Sequence, residues 1–233
     1  MEPLMTLVVC LANCGTPMSR EDELGVLAGS YAQLCSEMHY LKQNHCPELQ
    51  VPVMLHGVSL GMASCSPVET KRLDGMARLV NEVRPVAWSE HLAFVRAGGI
   101  EIGHLAAPPR NAETVAATAA NLARARKIVG SSPQIENIAT LIDPPASTLA
   151  EPEWVAAIAR ESGCDLLLDL HNVHANSLNF GHDPFGFIGT LPIENVATIH
   201  LAGGKQITRD GEERLLDDHL HDVPDPVYRL LEE

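Results

Sequence analysis

The chain has 233 residues, 45% of them hydrophobic, enough for one sizeable core, and 30 acidic against 16 basic residues give it a formal charge of −14. Such a charge repels nucleic acid and anionic lipid, so neither is expected as a partner. No apolar run of about 18 residues is present, and "MEPLMTLVVCLANCGTPMSRED" has no basic leader, so a cytoplasmic protein without a membrane span or an ordinary signal peptide is expected.

"TLVVCLA" reads as a first strand, and residues 21–42 read as helix, with no further strand before Val51. From there short Val-, Ile- and Leu-rich runs alternate with helical stretches. Strands are expected at 51–58, 85–95, 133–139, 164–171 and 196–203. Helices are expected at 66–83, 111–130 and 151–163, the last opened by Glu151-Pro152 and stopped by Gly163. Val115, Ala119, Leu122, Ala125 and Ile128 give the second helix an apolar face. This alternation predicts a parallel α/β sheet with helices outside it, in one domain over 1–233. The six cysteines contain no C-x-x-C pair, which excludes zinc-ribbon and thioredoxin patterns and leaves reduced thiols as the expectation.

The chemistry is concentrated where strands end. His56, Glu90-His91, Glu136, Asp169-x-His171 and His200 recur at intervals of about one βα unit, and strand C-termini of a parallel barrel converge on one face. An isolated strand-end histidine is ordinarily a hydrogen-bonded core residue, and Asp169 alone would cap a helix. A series at matched positions points instead to a shared site. Asp217 and His219, in "LLDDHLHDVPDP", belong to a following loop able to close over that face. Imidazole and carboxylate without thiolate favour iron, manganese or zinc, and a carboxylate such as Glu136 can bridge two ions. The stretch "LLLDLHNVHANSLNFGHD" adds Asn172, His174, Asn176, Asn179, His182 and Asp183. Asn172 can ligate through its amide oxygen or orient a neighbour. "GVSLG" has the letters of a nucleophile elbow, but no helix starts directly after Ser59, so a hydrolase reading fails.

"LHGVSLGMAS", "WSEHLAF", "IENI", "LLLDLHNVHANSLNFGHD", "IHLAGG" and "DDHLHDVPDPVYRLLEE", in this order over 51–233, resemble the multinuclear non-haem iron-dependent oxidase family, which includes the methanobactin-biosynthesis oxidase. The resemblance implies a TIM-like (β/α) barrel holding two or three irons in mixed Fe(II)/Fe(III) states. It implies dioxygen as co-substrate and cysteine residues of a ribosomally made precursor peptide as target, with a separate partner protein. By matching position, His56, His91 and Glu136 hold one iron, and Asp169, Asn172, His200, Asp217 and His219 complete the others. His91, Glu136 and Asp169 are then the catalytic centre.

Departures are visible too. Members commonly carry Asn-Asn after the strand-end Asp, where this chain has His171-Asn172, making His171 a candidate added ligand. His174 replaces the usual aromatic. The chain stops at Glu233, before the strand that carries a further acidic ligand in the family, so a barrel incomplete at both terminal strands, or closed by a partner or a second copy, is expected. Two other readings are a metal-dependent sugar isomerase or endonuclease barrel, for which Lys205 and Trp88 are the nearby candidates, and a truncated barrel that binds metal or a partner without turnover.

Overall fold

The computed structural model describes residues 7–11, 53–209, 211–218 and 220–233. Its centre is a parallel six-stranded sheet in the order β1 (Leu7–Leu11), β2 (Val53–Gly57), β3 (Ala87–His91), β6 (Gln134–Glu136), β7 (Leu166–Asp169) and β8 (Val196–His200). Three helices form the crossovers from β2 to β7: α1 (Thr70–Val83), α2 (Ala112–Val129) and α3 (Glu151–Ser162). Two antiparallel hairpins stand apart from the sheet, β4 (Phe94–Ala97) with β5 (Ile100–Ala106), and β9 (Gly204–Arg209) with β10 (Glu212–Asp217). The remaining helices are α4 (Leu170–Phe180), α5 (Pro184–Thr190) and α6 (Asp225–Leu231). The expected parallel α/β architecture is present. Among the described residues β1 and β8 are the outer strands and do not pair with each other. The helix expected at 21–42 lies outside the described residues.

Alternation sorts the strands into two faces. Leu55, Trp88, Ile135, Leu166 and Leu168 pack with Leu73, Met76 and Leu79 of α1, Leu122 and Ala125 of α2, and Trp154 and Ile158 of α3. Burying each such side chain contributes about 1.5–3 kcal/mol. The opposite face carries His56, Ser89, His91, Glu136 and Asp169. Register explains how residues from different depths meet. His56 lies beside Ser89, His91 beside Glu136, Glu136 beside Leu167, and Asp169 beside His200. Parallel neighbours point the same way, so each two-residue step keeps the polar side chains on one face while carrying them along the strand direction.

Three segments differ from the sequence reading. The run 85–95 is a strand only to His91, after which the chain turns at Leu92-Ala93 and enters the β4–β5 hairpin. The run 164–171 stops being a strand at Asp169, whose Oδ1 accepts the Asn172 N–H at 2.8 Å and starts α4 at once. Asp217 is not in a loop but ends strand β10.

A buried asparagine fixes the long connection after β2. Asn121 of α2 accepts the Val68 N–H at 3.0 Å and donates to the carbonyls of Met62 and Ser64 at 3.1 and 2.9 Å. Asn121→Leu keeps the volume and strips these bonds. It is expected to lower stability by about 2–3 kcal/mol, measured by urea unfolding of the metal-free chain. A change below about 0.5 kcal/mol would show that this loop holds itself.

Candidate metal centre

The polar face converges on Glu136, which is 1% exposed at the end of β6. Its Oε2 lies 3.1 Å from His56 Nε2 and 3.4 Å from His91 Nε2, and the two imidazole nitrogens are 3.3 Å apart. Its Oε1 lies 3.1 Å from His200 Nδ1, which is also 3.0 Å from Asp169 Oδ2. Two groups of candidate donors, His56 with His91 and Asp169 with His200, therefore share one carboxylate, an oxygen to each.

Hydrogen bonds behind the rings decide what the first group can hold. His91 Nδ1 is 3.2 Å from the Gly57 carbonyl, which only accepts, so Nδ1 carries the proton of the neutral ring. His56 Nδ1 is 2.7 Å from Ser89 Oγ, and that hydroxyl donates onward to the Leu55 carbonyl at 3.4 Å, which leaves its lone pairs for the imidazole N–H. Both Nε2 atoms thus turn lone pairs toward Glu136 Oε2. Three electron-rich atoms 3.1–3.4 Å apart in a buried pocket repel one another unless a proton or a cation lies between them. Their spacing is that of ligands about 2 Å from a common ion. The donor set fits a metal.

Around the second group, Asn137 extends the strand ladder: its Oδ1 accepts from Asp169 N and its Nδ2 donates to Asp169 O, both at 2.9 Å. Asn172 Nδ2 donates to the Asn137 carbonyl at 2.9 Å, while its buried Oδ1 has no hydrogen-bond partner among the described residues, the arrangement an amide oxygen ligand needs. A cavity of about 320 Å³ opens over His91, Asn172 and Asp217, between the β4–β5 hairpin, residues 138–141 and β10. Its walls include Leu105, Ile138, Leu141, Leu215 and Leu216.

The expected residues separate as follows. His56, His91, Glu136, Asp169 and His200 come together, and Asn172 and Asp217 border the same cavity. His171, fully buried, has Nε2 3.8 Å from Asp217 Oδ1 and lies against Gly204, where a Cβ would come within 2.4 Å of that nitrogen and 2.2 Å of the Leu216 carbonyl. Only glycine admits this approach of hairpin to helix. His219 lies outside the described residues. Glu90 does not join its neighbour His91. One residue earlier in β3, it points to the helical face, where its Oε2 sits 2.1 Å from where a Gly57 Cβ would be and its Oε1 accepts the Leu60 N–H at 3.3 Å. Trp88 also lies on the helical face, donating to Ser131 Oγ at 3.0 Å, so the isomerase reading loses its aromatic wall. The sequence reading missed the supports Ser89 and Asn137, single polar residues with no spacing to mark them.

Burial dominates the electrostatics. It pushes Glu136 up to about 7 despite the His200 hydrogen bond, and pushes Glu90 to about 8 and Glu151 to about 7. Burial alone would lower His200, but hydrogen bonds to Asp169 and Glu136 raise it to about 10.

The sequence profile described as RiPP precursor modification enzyme MbnB/TglH/ChrH matches residues 24–233. The chain belongs to this family. Relatives of this chain include a UPF0276 protein of Streptomyces avermitilis, 35% identical over 78% of this chain and 38% of that protein. Another, from Caulobacter vibrioides, is 33% identical over 78% of this chain and 63% of its own length. The chain therefore spans less than two thirds of these relatives. A solved Xylose isomerase domain protein from Planctomyces limnophilus is similar at a TM-score of 0.47 and 13% identity, over 97% of this chain and 77% of that one. No helix among the described residues is long and apolar enough to cross a membrane.

These protonation states predict how the metal-free protein responds to pH. Carboxyls held above their unfolded value of 4.5 keep protons in the folded state that the unfolded chain releases, so they cost stability as pH rises from about 4.5 toward 8. The raised His200 acts in the same direction, its stabilisation present below 6.5 and lost as pH rises toward 10. Metal-free Tm is expected to be roughly 5 °C or more lower at pH 8 than at pH 5, and a bound divalent ion, which replaces protons on Glu136 and His200, should reduce the difference. A metal-free Tm that is flat or rises over this range would contradict these assignments.

Proposed function

We propose that this chain is an iron-dependent oxidase that uses dioxygen to modify cysteine residues of a ribosomally synthesised precursor peptide. Family membership supports the peptide substrate. The observation that carries the metal chemistry is the buried Glu136 carboxylate shared between two pairs of donors without a thiolate, a set that suits iron. On this reading His56, His91 and Glu136 hold one iron, and Glu136, Asp169 and His200 a second. Asn172 and Asp217 complete the centre toward the cavity, with His219 assigned by matching position alone. His171, wedged between Gly204 and Asp217, orients Asp217 rather than serving a separate ion.

Bound iron would supply Lewis acidity, thiolate coordination and one-electron chemistry with dioxygen. The chain's own residues do the rest. Gly57 O and Ser89 fix the imidazole tautomers, and Asn137 sets the end of β7. Leu105, Leu141 and Leu216 line a cavity able to take a cysteine side chain with its neighbours and exclude water around it. We take the chain as one TIM-like domain acting in the reducing cytoplasm, where a free thiol substrate persists, with a separate protein or a second copy of the chain as partner.

Anaerobic iron loading followed by elemental analysis tests the centre, and oxygen uptake tests the reaction. Glu136→Ala should lose more than one iron equivalent. With the Cys-containing precursor encoded beside the gene and its partner protein, the wild type should consume oxygen and change the peptide mass. A Cys→Ser precursor or His91→Ala should reduce uptake at least 100-fold, since each removes a group at the iron. Full iron content in Glu136→Ala would overturn the bridge. Sugar isomerisation without oxygen use, or metal binding without uptake, would move the assignment to an isomerase or to an inert binder.

A further inference from the structure

Asn172, Asn176 and Asn179 fall on one face of α4, and each is buried with its amide turned to backbone rather than to solvent. The first two hold the segment after β6. Asn172 reaches the Asn137 carbonyl, and Asn176 accepts the Thr140 N–H and donates to the Ile138 carbonyl, both at 2.9 Å. Asn179 does more. Its Oδ1 accepts the Leu215 N–H at 2.8 Å, and its Nδ2 donates to the carbonyls of Leu215 and Thr140, each at 3.0 Å. One carboxamide thus takes both backbone groups of a β10 residue, as a neighbouring strand would, and joins that strand to the opposite wall of the cavity.

We propose that Asn179 is a positioning residue whose amide clasps β10 at Leu215 and so sets Asp217, two residues further along the strand, against the metal centre. This rests on the reading of Asp217 as a metal ligand. Among the described residues the β9–β10 hairpin is not hydrogen-bonded into the six-stranded sheet, and β10 packs on α4. Leu215 and Asp217 are separated by one residue and direct their side chains to the same face of the hairpin, which couples the clasp to the carboxylate. The chemistry selects asparagine. Aspartate would set a carboxylate against two carbonyl oxygens, and leucine would leave one N–H and two carbonyls unpaired in a partly buried place. Glutamine, one methylene longer, keeps the donors and acceptor and can restore them only by shifting the helix or the strand.

The test uses the full chain, with anaerobic Co(II) as the probe. Amide exchange at Leu215 is read in the metal-free protein, and stepwise Co(II) titration is followed by absorption. In Asn179→Leu, exchange at Leu215 should rise about tenfold. The Co(II) equivalent that also weakens in Asp217→Ala should bind about tenfold more weakly, while the equivalent held by His56, His91 and Glu136 keeps its absorption. Should Asn179→Leu fail to fold, Asn179→Asp carries the same expectation. Asn179→Gln should recover part of both effects. Unchanged exchange and titration would overturn the clasp, as would a uniform weakening of every Co(II) equivalent, the signature of a merely loosened fold. If Asp217→Ala leaves the titration unchanged while Leu215 exchange rises in Asn179→Leu, the clasp exists but Asp217 is no ligand, and the reading it rests on fails.

Discussion

Glu136 is the constraint on which the rest of the structure turns. A carboxylate taken fully out of water is strongly disfavoured unless cations or hydrogen-bond donors surround it. In this chain the groups that surround it are His56 and His91, whose donor nitrogens are committed elsewhere, and His200, whose donor is shared with Asp169. In the metal-free protein the balance is met by retained protons. A pair of divalent ions would meet it better, one to each oxygen, and the five strands that deliver these residues are held at the necessary depths by their register.

That register is also why so much of the site was legible in the sequence. Strand residues alternate between faces, so a His or carboxylate at the C-terminal end of successive βα units has few places to go, and the recurrence of His56, His91, Glu136, Asp169 and His200 was enough to predict a common centre. The apolar positions between them, Leu55, Trp88, Ile135 and Leu168, marked the helical face equally well. The helix α3 was legible through its punctuation, Glu151-Pro152 at its start and Gly163, in left-handed conformation, at its end.

What stayed hidden depended on one-residue distinctions or on contacts between distant segments. Glu90 and His91 are equally plausible ligands by type, and only the alternation of β3 decides that one faces the centre and the other faces Met76 and Gly57. The boundary between β7 and α4 was hidden because Leu170 and His171 continue the apolar strand pattern, while the signal that ended the strand, the cap made by Asp169 Oδ1, belongs to a side chain whose other oxygen faces His200. Both hairpins were missed. β4–β5 continues a strand-like run, and β9–β10 follows His200 with polar residues that carry no alternation. The asparagines of α4 sit at helical spacing in the sequence, yet their partners are backbone groups of 137–140 and 215 and the Glu151 carboxylate, which no local pattern identifies.

The central claim is that Glu136 joins two metal ions. Anomalous diffraction at the iron edge, from crystals grown anaerobically with ferrous iron, measures this most directly. Two peaks about 3.5–4 Å apart are expected, one between His56 and His91 and the other between Asp169 and His200, with a Glu136 oxygen bound to each. A single peak, or two peaks of which one does not touch Glu136, would contradict it.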